Sequence, residues 1–121
     1  MKHLLFLLFL LTGMLVHAQD GHGHTSIDIH TNAVCDMCKK TIEGELIYEK
    51  GVKAVNLDLD ANTIHVEYDA KRTDPDKLRT AVTKLGYMAD DQLPDMKARK
   101  ELPACCQKEG CGLPTEENQK N

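Results

Sequence analysis

Between Ser26 and Asp90 the spacing of apolar residues switches repeatedly between the twofold period of a strand and the period of a helix, and that order leaves few ways to bury the apolar faces. Ile27 and Ile29 alternate with Ser26, Asp28 and His30, which predicts a half-buried strand. From near Cys38 to Lys50 the pattern is helical: Ile42, Leu46 and Ile47 fall on one face, and Gly51 supplies a stop. Val55, Leu57 and Leu59, then Ile64, Val66 and Tyr68, predict two strands joined by the turn Asp60-Ala61-Asn62 in an antiparallel hairpin. Thr73-Asp74-Pro75 sets a capping side chain before a proline suited to the first helical position, and Leu78, Ala81, Val82 and Leu85 extend a buried stripe to Gly86. Tyr87 to Asp90 reads as one more short strand. The order β-α-β-β-α-β predicts an α+β, ferredoxin-like sandwich over residues 26–90: a four-stranded antiparallel sheet with two helices on one face.

Ahead of this unit, Met1-Lys2-His3 precedes an apolar run from Leu4 to Leu11 that continues to Val16, shorter than the roughly 20 residues of a membrane span. With Val16-His17-Ala18 it predicts a secretory signal over residues 1–18, cleaved before Gln19. The expectation is therefore a protein exported to a periplasm or secreted, with no stable membrane insertion after cleavage. Residues 19–25, which include Gly21-His22-Gly23-His24, read as a flexible linker. The formal charge is −4, there is no tryptophan, and both phenylalanines, Phe6 and Phe9, lie in the signal. That balance argues against nucleic acid or an anionic membrane surface as a partner. The cysteines number 5, so an exported chain cannot pair all of them internally.

The chemistry concentrates at Cys35-Asp36-Met37-Cys38, where the first strand gives way to the first helix. Unpaired N–H groups and the positive dipole end of a helix favour thiolates there. Two thiolates give the low coordination number that suits Cu(I) or Hg(II), whereas Zn(II) prefers four ligands. Met37 reads either as a thioether beside the site or as an ordinary hydrophobe, and Lys39 and Lys40 either as counter-charges or as solvated residues. Thiol-disulfide exchange is the competing chemistry of such a pair, and a transporter-docking module with the cysteines as a structural clip is a third reading. No serine-histidine-acid set, phosphate loop or paired carboxylate stands out, so the expectation is not an enzyme. Residues 91–121 form a cysteine-containing tail with a short helix near Asp95 to Glu101, then Cys105, Cys106 and Cys111, and a polar end from Thr115. These three thiols read as a second soft-metal site, as ligands that complete the first, or as disulfide partners of each other or of the loop.

The segment from about Ser26 to Asp90 resembles a heavy-metal-associated domain, the module of copper chaperones, of copper-transporting P-type ATPases and of the periplasmic mercury-binding protein. Cys35-Asp36-Met37-Cys38 matches the Cys-x-x-Cys of that family in the same loop, and Gly86-Tyr87 resembles its Gly-aromatic pair. Asn32-Ala33-Val34 departs from it, because Ala33 stands where the family usually has an anchoring methionine. The resemblance implies a soft ion, Cu(I) first and Hg(II) or Zn(II) after it, held by Cys35 and Cys38 and shielded by Tyr87. It further implies transfer by thiol exchange to a metal-transporting ATPase or another metal-handling protein.

Overall fold

The computed structural model describes residues 24–107; the predicted signal, residues 19–23, Cys111 and the polar end lie outside them. The order is β1 (His24–His30), α1 (Asp36–Leu46), β2 (Val52–Asp58), β3 (Thr63–Asp69), α2 (Pro75–Lys84) and α3 (Met96–Glu101), followed by a 3-10 turn at Ala104–Cys106. β1 begins two residues earlier than the alternation suggested, because His24 and Thr25 still pair with Asp69 and Tyr68.

Among the described residues the sheet has three strands in the order β1-β3-β2, both pairs antiparallel. Register aligns Ile29 and Leu57 with Ile64, and Ile27 and Val55 with Val66, so one face gathers the apolar side chains as the alternation requires. Ile29, Leu57, Ile64 and Val66 are fully buried against Ile42 and Leu46 of α1 and Leu78 and Val82 of α2. The two helices therefore cover one face, and His65 and Glu67 occupy the other, exposed one.

Among the described residues the fourth strand expected at Tyr87–Asp90 does not form a ladder; its only bridge there is an isolated one between Ala89 and Gln92. The segment nevertheless lies along β1, held mainly by side chains. Asn32 Oδ1 accepts from the Met88 amide at 2.9 Å, and Asp90 Oδ1 accepts from the His30 amide at 2.9 Å. The Asp90 amide donates to the His30 carbonyl at 2.8 Å. Pairing stops because Asp90 takes a φ of 54°, which turns the chain out of the extended region.

Helix α1 also ends earlier than Lys50. After Leu46 the amides of Tyr48 and Glu49 reach back only three residues, to Glu45 and Leu46 at 3.1 Å, and tighten the last turn. Gly51, at φ 85°, then turns the chain into β2. At the other edge of the sheet, α1 satisfies β2 directly: Glu43 Oε1 accepts from the Leu57 amide at 2.8 Å and Lys39 Nζ donates to its carbonyl at 2.6 Å. Asp74 caps α2 through the Lys77 amide at 3.0 Å, as its place before Pro75 predicted.

The residues after Asp91 fold back onto this unit. Asp95 donates its amide to the Thr83 carbonyl at 2.9 Å and caps α3 by accepting from Ala98 at 2.9 Å. α3 then crosses Gly86 so closely that a Cβ there would stand 2.8 Å from the Arg99 nitrogen, at a φ of 94°. Buried Arg99 returns a bond from Nη1 to the Gly86 carbonyl at 3.3 Å. None of the described helices is long and apolar enough to cross a membrane.

Asp90 also accepts from Arg79 Nε at 2.6 Å. Its burial raises the carboxyl pKa, but Arg79 and the His30 amide outweigh that and hold it below the usual 3.8. Its contribution is therefore present above the ordinary carboxyl range and is lost as pH falls through the lowered value. Asp90→Ala should cost about 1–3 kcal/mol in urea unfolding at neutral pH, and Asp90→Asn less, because asparagine keeps an acceptor for His30 and tolerates the left-handed φ. Equal losses from the two substitutions would place the effect in the charge and not in the amide contact.

Candidate metal centre

Cys35 ends the extended chain after β1 with φ −148° and ψ 164° and occupies the N-cap of α1. Cys38 lies one turn on, at the head of the stripe Cys38-Ile42-Leu46 that faces the core, and is fully buried. The two sulfurs stand 3.2 Å apart as free thiols. Beneath the loop, Ala33 is fully buried, so the position of the family's methionine still points into the core, with a smaller side chain.

The tail brings two more thiols to the same place. From α3 the chain passes through half-buried Leu102 into the turn Ala104–Cys106, closed by the Cys106 amide donating to Pro103 at 2.8 Å. Gln107 Nε2 donates to the Lys100 carbonyl at 3.1 Å and also to that of Leu102. Cys106 is thereby buried, with its sulfur 2.8 Å from Cys38 and 3.8 Å from Cys35. Cys105 is half-buried, 3.9 Å from both Cys35 and Cys106. Of the arrangements open from the sequence, this is the one in which tail thiols meet the loop. Among the described residues Cys105 and Cys106 lie at the loop, and no disulfide joins the described cysteines. Cys111 lies outside the described residues.

The electrostatics divide the cluster. The Cys38 amide, three residues into the helix, faces the Cys35 sulfur; although no capping bond of ordinary geometry closes, this N–H and then the Cys38 thiol lower Cys35 from the usual 9.0 to about 7. Burial pushes the Cys106 thiol up, and the Cys38 sulfur beside it adds to that. Tyr87 is fully buried under the cluster, its hydroxyl against Cys38 and Cys106 but without a hydrogen bond of ordinary geometry. Burial raises its pKa as well, so it remains a neutral phenol. Met37 is exposed, its sulfur 4.0 Å from Cys105 on the open side. Lys39 is engaged with the Leu57 carbonyl and the Glu43 carboxylate. Lys40 is exposed, and His65 lies on the far face of the sheet, paired with Asp28.

The heavy-metal-associated domain matches residues 31–88, from the end of β1 to the residue after Tyr87. The copper chaperone CopZ of Staphylococcus haemolyticus is 34% identical over 53 residues, which span 44% of this chain and 78% of the chaperone. The chain belongs to the heavy-metal-associated domain family. Copper-transporting ATPase 1 of Mus musculus is 38% identical over 63 residues; the match takes in 52% of this chain but only 4% of the ATPase. Among solved structures, oxidized MerP from Ralstonia metallidurans CH34 superposes with a TM-score of 0.53 at 21% identity, covering 57% of this chain and 99% of MerP. A CopZ metallochaperone gives 0.52 at 21% identity, covering 54% and 98%. At those identities the likeness establishes the ferredoxin-like heavy-metal-associated fold. The match ends at Met88, so α3 and the cysteine turn that reach the loop are additions to the matched domain.

Two measurements on the reduced, metal-free protein test this geometry. Alkylation should modify Cys35 first among the four described thiols, with its rate half-maximal near pH 7 and falling in more acid solution, while Cys106 stays unmodified until unfolding. Comparable labelling of Cys106 in the folded protein would contradict its burial. Tyr87→Phe removes a buried hydroxyl that lacks a partner, so the metal-free protein should gain up to about 1 kcal/mol in urea unfolding. A loss of stability would mean that the hydroxyl does bond to the thiols.

Proposed function

We propose that the protein is an exported carrier of a soft metal ion, Cu(I) in the first place, that takes the ion at Cys35 and Cys38 and passes it to a partner's thiols. The observation that carries this reading is the pair of free sulfurs 3.2 Å apart at the start of α1, one of them with its pKa lowered to about 7. A thiol ionised near neutrality binds a soft cation without a large cost for proton loss. Hg(II) competes for the same donors by the same preference, and Zn(II) is a weaker fit to a pair of sulfurs. Similarity to a copper chaperone and to a copper-transporting ATPase supports copper as the cargo and a metal-transporting ATPase, or another metal-handling protein, as the recipient.

Transfer proceeds by ligand exchange. The incoming thiol loses its proton and bonds to the ion before a resident thiolate leaves and takes up a proton, so the metal is never free and no electron changes hands. Cys35 is the accessible member of the pair and faces the entering thiol. Export to a periplasm or secretion follows from the basic start and short apolar run of residues 1–18, with cleavage before Gln19. The carrier role calls for no catalytic turnover, and this reading does not make the protein an enzyme.

The lowered Cys35 thiol also favours thiol-disulfide exchange, the second reading, which would have the protein oxidise or reduce a test disulfide over many turnovers. Competition for Cu(I) against a calibrated chelator without oxygen decides the first. The parent chain should bind tightly, and C35S/C38S should lose affinity by at least about a hundredfold, since a hydroxyl is a poor ligand for a soft ion. Unchanged affinity in the double variant would overturn the proposal.

A further inference from the structure

Cys105 and Cys106 lie outside the matched domain of residues 31–88, yet their sulfurs sit on the loop. We infer that the tail supplies ligands to the ion, and that Cys35, Cys105 and Cys106 together form a closed three-thiolate site for Cu(I). The inference rests on the soft-metal reading above and revises its ligand set: the ion enters at Cys35 and Cys38 and comes to rest on Cys35, Cys105 and Cys106, with Cys38 as the exchange ligand.

The geometry of the sulfurs carries it. The distances Cys35–Cys105, Cys35–Cys106 and Cys105–Cys106 are 3.9, 3.8 and 3.9 Å, a nearly equilateral triangle. The centre of such a triangle lies roughly 2.2 Å from every corner, close to the length of a metal–thiolate bond, about 2.3 Å for zinc. By contrast, two sulfurs on opposite sides of one ion must stand roughly twice that bond length apart, and Cys35 and Cys38 are only 3.2 Å apart. A tetrahedral four-thiolate site fits less well, because Cys38 does not join the set of three sulfurs that all lie within 4.8 Å of one another. Cys38 stands behind the triangle, donating to Cys106 at 2.8 Å, where it steadies a corner sulfur and remains at hand as an exchange ligand.

The tail is held for this task by contacts away from the sulfurs. Gly86 admits the α3 backbone, Arg99 returns a bond to the Gly86 carbonyl, and Asp95 ties the start of α3 to the end of α2. The turn that follows presents two adjacent cysteines with their sulfurs 3.9 Å apart on the same side. Two corners of the triangle thus exist before the ion arrives, which lowers the ordering cost of binding. Binding releases the remaining thiol protons to solvent and leaves Cu(I) in its oxidation state. A third intramolecular thiolate also occupies the place that a partner's thiol would take, so the site should hold its ion longer than an open pair does.

The test is X-ray absorption at the copper edge together with chelator competition, on the reduced full chain and on C105S/C106S, both loaded with one equivalent of Cu(I) without oxygen. The parent should have three sulfur neighbours. C105S/C106S should retain Cu(I) at Cys35 and Cys38 with two, bind at least about tenfold more weakly, and give up its ion faster to a competing thiol. Retained binding also establishes that the double variant folds, and the parent's own coordination number stands independently of it. Two sulfurs in the parent with equal affinities would overturn the inference while leaving the carrier function intact. Three sulfurs persisting in C105S/C106S would place the third ligand elsewhere and overturn it too. Failure of the parent to compete at all would instead remove the copper reading on which the inference stands.

Discussion

Burial of the stripe Cys38-Ile42-Leu46 against the sheet is the constraint on which the rest of the site depends. The one-turn spacing of these residues fixes the rotation of α1 about its axis, and hence the direction of its first turn. With Cys38 held in the core by Ile42 and Leu46 below it, Cys35 must fall at the N-cap, turned outward, where the helix amides lower its pKa. The helix also reaches across to the edge of β2 through Lys39 and Glu43, which ties its position to the sheet. The loop needs no methionine anchor of its own under these restraints, and buried Ala33 suffices to close the core beneath it.

The same burial gives the cluster an inner and an outer half. Cys38 and Cys106 sit within the core beside the Tyr87 phenol, while Cys35 and Cys105 are partly exposed next to Met37. Low polarity on the inner side keeps the Cys106 thiol protonated until something displaces the proton, and the outer side carries Cys35, whose thiol ionises near neutrality. An ion approaching from solvent meets the reactive sulfur first. Desolvation and the helix terminus act in opposite directions on thiols only a few ångströms apart, and this separation of roles follows from where the backbone places them.

Much of the fold was legible locally. The alternations of Ile27 with Ile29 and of Ile64, Val66 and Tyr68, the capping signal at Asp74-Pro75 and the short helix after Asp95 are patterns contained within a few residues, and they recur in the structure. The departures arise where distant residues decide. Tyr87–Asp90 looks like a strand, but the left-handed Asp90 and the side chains of Asn32 and Asp90 replace the ladder with a stitched contact. At the end of α1, Gly51 marks a turn that the helix does not reach, because three-residue amide bonds tighten the chain first. The approach of α3 to Gly86 leaves no periodic trace, so a glycine that read as a helix stop is also the seat of the tail. Spacing in the sequence therefore could not show that Cys105 and Cys106 lie against the loop.

The sulfurs of Cys35 and Cys105 are in contact across 70 positions of chain. The cluster therefore cannot form until the chain has been made through Cys106 and α3 has docked. An ion held across that span is a removable crosslink: it closes a long loop as a disulfide does, and restricts the unfolded chain for as long as it stays bound. Metal binding and fold are then mutually dependent, so that a molecule with an ion across this span is harder to unfold or degrade than an empty one, and loss of the ion restores its susceptibility.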